Sequence, residues 1–293
     1  CLLARAPLGK PADVAFYLAS YARDALARLS ERADLPALKQ LRDGMQAALG
    51  IAFEGTSGEH MFRSTLVQTL FYGLFSGWVA HVRDPHKPPR APGRFDWRSA
   101  QWSLHVPVMR FLFQQVATPE ALEPLQLVLL LDAAGETLNR VDVAAFLAAF
   151  EDAQAVQYFY EPFLEFFDPA LRRELGVWYT PPEIVAYMVE RVDRVLRSEL
   201  GVADGLADPN VWVLDPCCGT GSFVVAVIER IRRTLQGRGH GDLVGEMLKQ
   251  AATTRVVGFE IMTAPFVIAH WQVGEALRRA GAPLGDGERA AGF

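Results

Sequence analysis

The sequence has few cysteines and no long hydrophobic run. Three cysteines in 293 residues, two of them adjacent at 217 and 218, make a poor disulfide framework and favour a reducing cytoplasm. No segment approaches the roughly 18 uninterrupted apolar residues of a membrane span, and the first residues lack a signal-peptide pattern. Neither Cys-x-x-Cys nor a paired histidine spacing is present, so we expect no zinc site.

Basic residues are also fewer than acidic ones. The formal net charge is −5, from 29 basic and 34 acidic side chains, and such a chain does not coat nucleic acid with its whole surface. Any DNA contact would be local, and the best candidate is the proline-rich segment 81–98. A solvated surface loop is the favoured interpretation of this segment. Its basic residues are Arg83, Lys87, Arg90, Arg94 and Arg98, against Asp84 and Asp96.

Hydrophobic periodicity divides the chain in two. Residues 1–150 carry helical spacing without strand alternation, which predicts an α-helical N-terminal domain. Residues 151–293 read as helix, strand, helix, strand, helix, the order of a doubly wound α/β sheet with parallel strands. One of these helices is expected to begin at Pro181 with Thr180 as its cap and to stop at Gly201. The aromatic group at 158–167 is interpreted as core, with a base-stacking platform as the alternative.

The segment "VWVLDPCCGTGSFVVAVIERI", residues 211–231, runs from an apolar strand through a tight turn into an apolar helix. Gly219 and Gly221 allow the backbone to turn and to approach a ligand, and the helix that follows offers unpaired N–H groups. A dinucleotide site would need a third glycine where Val224 stands. Asp215 would also repel a pyrophosphate, so an NAD-dependent oxidoreductase is disfavoured.

Acids at the ends of two successive strands fit a different ligand. Asp215 can face the ammonium of S-adenosylmethionine, Glu260 can accept hydrogen bonds from its ribose hydroxyls, and Ile261 can lie against its adenine. Charge-assisted hydrogen bonds of this kind contribute about 1.5 to 3 kcal/mol each. The simpler alternative makes Asp215 a helix N-cap and Glu260 a solvated strand end.

Three motifs carry a family resemblance. "DPCCGTGSF" at 215–223 resembles the Asp-Pro-x-Cys-Gly-Thr-Gly-Ser/Gly-Phe motif of N6-adenine DNA methyltransferases, "GVWYTPPEIVAYMV" at 176–189 is similar to the Tyr-Thr-Pro element of their γ class, and "GFEIMTAPFVIAHWQV" at 258–273 resembles their second cofactor motif. "YFYEPFLEFFDPALRRELGVWYTP" and "LVQTLFYGLF" add a likeness to the methylase part of Type ISP-like, Type I and IIG restriction or phage-defence enzymes.

The resemblance implies an α-helical domain over 1–150 and, over 151–293, the first part of a Rossmann-like domain that uses S-adenosylmethionine. Tyr179 and Thr180 would lie near the methionine end, Phe223 would line the pocket, and Cys218 would pack beneath the turn without acting as a nucleophile. The implied partners of the full-length protein are double-stranded DNA and a restriction nuclease, helicase or specificity subunit. The implied cofactor-binding residues are Tyr179, Thr180, Asp215, Cys218, Gly219, Thr220, Gly221, Ser222, Phe223, Glu260 and Ile261.

The family's catalytic loop has no counterpart in the sequence. In the family an Asn/Asp/Ser-Pro-Pro-aromatic loop holds the flipped adenine, whereas the only Pro-Pro pairs here are 88–89 and 181–182. We therefore expect a fragment without the catalytic loop or the target-recognition domain, inactive alone, from a protein that methylates adenine. The alternatives are a non-catalytic cofactor-binding or protein-interaction scaffold of a multi-subunit defence complex, and a methyltransferase acting on protein or RNA.

Overall fold

A computed structural model describes residues 7–49, 52–83, 93–104, 107–150, 155–169, 180–285 and 288–290. The chain divides into two compact units, Cys1–Val177 and Trp178–Phe293. The helix Ala155–Phe167 belongs to the first unit, where it packs against the first helix of the chain. The domain limits expected from the sequence, 1–150 and 151–293, stay a prediction.

The described part of the first unit is helical, as its apolar periodicity predicts. Its one β-type contact in the described ranges is an isolated parallel bridge between Leu8 and Val141. Three-residue 3-10 turns aside, the helices are α1 Pro11–Glu31, α2 Pro36–Leu49, α3 Gly55–Val82, α4 Ala100–Ser103, α5 Pro107–Val116, α6 Pro119–Leu122, α7 Val128–Leu138, α8 Val143–Phe150 and α9 Ala155–Phe167.

Helix α3 is the centre of the first unit. It contacts α1, α4, α5 and α7 and is buried nearly all round, as a helix without a polar face must be. Its polar side chains Ser64 and Gln68 are buried and hydrogen-bonded: Ser64 Oγ donates to Asp168 Oδ2 at 2.9 Å, and Gln68 Nε2 donates to Ser64 Oγ at 3.2 Å. His60 Nε2 lies 3.0 Å from the same Asp168 oxygen. This cluster ties α3 to the end of α9.

The aromatic segment in α9 forms core. Phe159, Phe163 and Phe167 are 3 %, 1 % and 2 % exposed, and the Phe159 ring stacks on Phe75 with 3.6 Å between centroids. Phe166 is partly exposed and meets Phe16 edge-on. The side chains of Tyr158 and Tyr160 lie outside the described residues, but the core interpretation is confirmed for the three buried rings.

The basic segment 81–98 is described only at its two ends. Arg94 pairs with Glu136, and Arg98 Nη1 lies 2.7 Å from Asp132 Oδ1 and 3.3 Å from Asp96 Oδ1. Lys87 and Arg90 lie outside the described residues. Arg94 and Arg98 are therefore held by acids of the same unit, which agrees with the surface-loop interpretation.

The second unit has the predicted element order. It contains α10 Pro182–Ser198, β1 Val213–Asp215, α11 Ser222–Gly237, α12 Val244–Thr254, β2 Val256–Gly258 and α13 Thr263–Arg279. The strands are parallel, with Val213 opposite Val256 and Asp215 opposite Gly258. As described, the chain is mostly helical with a small two-stranded parallel sheet.

Helix α10 begins one residue later than predicted. Pro181 is its N-cap and Pro182 its first residue, and no side chain caps the N-terminus, so the expected Thr180 cap is wrong. Pro181 has an extended backbone, with ψ at 140°, because the residue before a proline avoids the helical region. The helix ends at Ser198 rather than Gly201, which follows in the left-handed region at φ +70°.

The sheet is covered on one side by the helices of the second unit. Val211 and Val213 pack against that core, whereas the alternating residues Trp212 and Leu214 are 70 % and 61 % exposed. Leu214 stands opposite Val257, so Phe259, two residues further along, lies on the same side and is 51 % exposed. These three side chains form an uncovered apolar face, although parallel sheets are normally buried on both faces.

Candidate functional site

The glycine turn, residues 215–221, joins β1 to α11 at the carboxyl end of the sheet. Asp215 Oδ1 accepts a hydrogen bond from the Cys217 N–H at 3.2 Å, and the Gly221 N–H donates to the Cys218 carbonyl at 2.8 Å. Asp215 therefore stabilises the turn, and the helix N-cap is Gly221. The alternative that made Asp215 an N-cap is wrong.

The two glycines of the turn differ in their surroundings. Gly219 and Gly221 both adopt left-handed backbone angles, φ +56° and +88°, which favour glycine. A Cβ on Gly219 would have no heavy atom within 4 Å, whereas a Cβ on Gly221 would lie 2.9 Å from Ala269 Cβ and 3.0 Å from Ala269 Cα. Gly221 thus allows α13 to approach the turn, and Gly219 borders open space suited to a ligand.

Glu260 follows β2 and reaches back to the turn. Its Oε2 accepts the Gly219 N–H at 3.0 Å, and its Oε1 accepts the Met262 N–H at 2.7 Å. The Cys218 N–H also donates to the Phe259 carbonyl at 2.9 Å. Glu260 is half-buried, and backbone N–H groups fix its carboxylate. The interpretation of Glu260 as a solvated strand end is therefore wrong. The Ile261 N–H also donates a hydrogen bond to this carboxylate, which has about four acceptor sites in all, so Glu260 can still accept a further donor.

The environment of Glu260 favours its protonated form. Burial raises the pKa of the Glu260 carboxyl above its usual value, and the negative charge of Asp215 adds to the rise. Hydrogen bonds from the N–H groups of Met262 and Gly219 oppose the change. A ligand that donates hydrogen bonds to this carboxylate would favour the ionised form.

The two adjacent cysteines occupy different environments. Cys217 is exposed, whereas Cys218 is buried beneath the turn at 6 % exposure, as the family resemblance implies. Burial, with the negative charges of Asp215 and Glu260, raises the pKa of the Cys218 thiol to about 12. Its thiolate is therefore scarce at neutral pH, and Cys218 is unsuited to nucleophilic chemistry.

Helix α13 supports the turn through two residues that sequence reasoning missed. Gln272 Nε2 donates to the Thr220 carbonyl at 2.8 Å, and the fully buried Ala269 packs against Gly221. Residues three apart share a helix face whatever their identity, so no signal in the sequence is specific to this contact.

The structure brings together only part of the predicted set. Asp215, Cys218, Gly219, Thr220, Gly221 and Glu260 share the turn and its contacts, and Ser222 starts α11. Phe223 packs against the core of the second unit, and Ile261 is 61 % exposed. Thr180 precedes α10, and no hydrogen bond between described residues joins it to the turn; Tyr179 lies outside the described residues.

Asp193, a buried acid that was not predicted, joins α10 to α11 and to the loop before β1. Asp193 on α10 is fully buried and accepts hydrogen bonds from Arg197 Nε at 2.8 Å, Arg230 Nη2 at 2.7 Å and the Leu206 N–H at 2.8 Å. Burial opposes its ionisation, but Arg197, the Leu206 N–H and Arg230 hold the pKa of Asp193 below its usual value. A signal existed, since Asp193 stands four residues after Val189 on the core-facing stripe of the helix.

Arg255, immediately before β2, anchors the preceding loop. It is 7 % exposed, and its guanidinium donates to the carbonyls of Leu206 at 3.0 Å, Val211 at 2.8 Å and Ala207 at 3.3 Å. The loop that enters β1 is thereby fixed against β2, which sets the relative position of the two strand ends.

The described residues offer no metal centre and no membrane span. Among them, no group of three or more His, Cys, Asp or Glu side chains is placed to hold a metal ion. None of the described helices has the length and apolar character needed to cross a membrane.

A glycine turn at the carboxyl end of parallel strands, with an acid after the next strand, is the place where α/β proteins commonly bind their ligands. Residues 151–271 match the family model described as "N-6 DNA Methylase". The resemblance to DNA methylases seen in the motifs is therefore confirmed for this part of the chain. No curated protein matches the sequence.

Solved structures support the fold. The structure described as a DrdV–DNA complex aligns with 94 % of this chain at a TM-score of 0.54 and 20 % identity. The ATP-dependent Type ISP restriction-modification enzyme LlaBIII bound to DNA aligns with 96 % at a TM-score of 0.52 and 18 % identity. The chain spans 24 % and 17 % of those two proteins. At these identities the likeness concerns the fold.

Proposed function

We propose that this chain carries the S-adenosylmethionine-binding part of an N6-adenine DNA methyltransferase from a restriction–modification or phage-defence system. The observation that carries the proposal is the hydrogen bond from the Gly219 N–H to Glu260 Oε2, at 3.0 Å. It joins the two cofactor motifs into one site. The methylase family match over residues 151–271 supports methyl transfer as the chemistry of the whole protein.

Each end of the cofactor has a suitable partner in this site. The carboxylate of Asp215, at the end of β1, would attract the ammonium of the methionine moiety. Glu260 would accept hydrogen bonds from the ribose hydroxyls, and the open space beside Gly219 leaves room for the ligand. Tyr179, Thr180, Phe223 and Ile261 complete the proposed pocket by resemblance.

The substrate proposed for the full-length protein is an adenine flipped out of double-stranded DNA. The fold alignments with DNA-bound DrdV and LlaBIII structures support DNA as the partner, with a nuclease, helicase or specificity subunit fused or associated. Such an enzyme would act in the cytoplasm. The residues that hold the target base lie outside the site described above.

Calorimetric titration of S-adenosylmethionine into the chain tests the proposal. Because charge-assisted hydrogen bonds contribute about 1.5 to 3 kcal/mol, Asp215→Ala and Glu260→Ala should each weaken binding by roughly one to two orders of magnitude. Glu246→Ala, which removes an exposed acid from α12, is the matched control. Equal affinity in all variants, or saturable binding of NAD in place of S-adenosylmethionine, would refute the cofactor assignment.

One observation favours a second candidate function. The uncovered apolar face of Trp212, Leu214 and Phe259 suits a protein-interaction scaffold within a multi-subunit defence complex. A well-folded chain that binds no S-adenosylmethionine but forms a stoichiometric complex with a partner subunit through this face would favour the scaffold over the enzyme.

A further inference from the structure

The contact between α13 and the glycine turn suggests a role for a residue that is not among the implied cofactor-binding residues. We propose that Gln272 is a positioning residue, which fixes the peptide between Thr220 and Gly221 and so orients the N-terminus of α11 toward the cofactor. The proposal deepens the proposed function at the same site and rests on it only for the identity of the ligand.

The Thr220–Gly221 peptide has both of its polar groups engaged. Its carbonyl accepts the hydrogen bond from Gln272 Nε2 at 2.8 Å, and its N–H donates to the Cys218 carbonyl at 2.8 Å. Gly221 lies at φ +88° and has no side chain, so its own backbone angles restrict the orientation of this peptide less than those of another residue would. Gln272 supplies a tether that the glycine itself cannot provide.

The orientation of this peptide affects the helix that follows it. Gly221 is the N-cap of α11, and its own carbonyl accepts the Val225 N–H at 2.8 Å in the first turn. The N–H groups of residues 222–224, which precede Val225, have no intrahelical partner, since a helix leaves its first amides unpaired. A rotated peptide would redirect them and weaken the attraction of this helix end for a negatively charged or oxygen-rich part of the ligand.

Two anchors hold opposite halves of the turn. Glu260 holds the first half through the Gly219 N–H, at 3.0 Å, and Gln272 holds the second half through the Thr220 carbonyl. Ala269, one helical turn before Gln272 on α13, packs against Gly221 and keeps the helix close enough for the amide to reach. Gln272 is half-buried, so water replaces its hydrogen bond only in part.

The test uses three substitutions at Gln272 and one control. Gln272→Leu removes the donor and keeps the bulk, Gln272→Glu places an acceptor against the carbonyl, and Gln272→Asn keeps the amide on a shorter side chain. Gln250→Leu changes an exposed glutamine on α12 and should have no effect. The readouts are amide hydrogen exchange of the turn in the ligand-free chain and calorimetric affinity for S-adenosylmethionine.

Losing one hydrogen bond of ordinary strength corresponds to a change of about 3- to 10-fold. In Gln272→Leu and Gln272→Glu, we expect the 217–222 amides to exchange faster by that factor, α10 amides to be unchanged, and the affinity to fall similarly. Gln272→Asn should restore part of both. Unchanged exchange in the turn, or faster exchange throughout the second unit, would overturn the proposal. If the turn loosens as expected but even the wild-type chain binds no S-adenosylmethionine, the cofactor assignment fails and the positioning role stands.

Discussion

The two glycines of the turn should respond differently to the same substitution, Gly219 mainly in ligand affinity and Gly221 mainly in stability. Strain from alanine in the left-handed region lowers the free energy of unfolding by about 1 to 2 kcal/mol. The reduced backbone freedom of the unfolded chain raises it by about 0.4 to 1 kcal/mol. Gly219→Ala adds no contact within 4 Å, so it should lower the free energy of unfolding by at most about 1.5 kcal/mol. Its new methyl group would occupy the space proposed for the ligand, so the affinity for S-adenosylmethionine should fall sharply.

Gly221→Ala adds a steric cost to the same backbone strain. Its Cβ would lie 2.9 Å from Ala269 Cβ and 3.0 Å from Ala269 Cα, closer than real Cβ atoms pack, and overpacking costs about 1 to 3 kcal/mol. The free energy of unfolding of the second unit should therefore fall by roughly 1 to 4.5 kcal/mol. Ala269→Gly should restore only part of this loss, because Ala269 Cα remains in contact.

Urea unfolding with peptide-resolved amide exchange separates these outcomes, because it assigns the loss to the second unit. Titration with S-adenosylmethionine in the absence of urea measures how far the affinity of each variant falls. Equal destabilisation by the two substitutions would refute the assignment of Gly221 to helix packing. Unchanged affinity in Gly219→Ala would refute the assignment of Gly219 to the ligand side of the turn.

Three further predictions concern charge and thiol chemistry. Asp193→Ala should destabilise the second unit by about 2 to 4 kcal/mol, since two partly exposed arginines and a backbone N–H lose Asp193 as their acceptor. Because the pKa of Asp193 is lowered in the folded chain, the stability that its carboxylate contributes is present above about pH 4. That stability is lost as the pH falls through the folded pKa. Cofactor affinity should fall as pH decreases through the raised pKa of Glu260, at a higher pH than for an ordinary glutamate, and titrations of Glu260→Gln should lack this dependence. Alkylation at pH 8 followed by peptide mapping should label Cys217 and leave Cys218 unlabelled until the chain unfolds; equal labelling in the folded chain would contradict the burial of Cys218.

The sequence predicted the parts of this fold that depend on local pattern. Strand β1, the turn and α11 follow from an apolar run, two glycines and a second apolar run, and the structure places them as expected. The start of α10 was displaced by one residue because two successive prolines compete for the first helical position. The parallel pairing of β1 with β2 followed from the order of elements, since strands separated by helices pair in parallel.

The site was predictable only where chemistry and spacing coincide. Asp215 and Glu260 were predicted as site residues because each acid stands at or just after the end of an apolar run of strand residues. The hydrogen bonds of Glu260 to Gly219 and Met262 could not be anticipated, since they depend on how β2 ends relative to the turn. Gln272 and Arg255 were missed for a similar reason, because their partners are backbone carbonyls distant in sequence. Every residue has such a carbonyl, so the residue types do not show which one accepts a hydrogen bond.

The uncovered apolar face of Trp212, Leu214 and Phe259 has a kinetic consequence. Each strand has paired only with the other, so within the described residues both outer edges of the sheet keep unpaired backbone groups beside exposed apolar side chains. The rate at which two such faces associate depends on the square of the protein concentration. The rate at which a segment of the same polypeptide covers the face does not depend on concentration. Dilution should therefore improve the yield of monomer on refolding, and the same unit synthesised rapidly at high local concentration should need a chaperone.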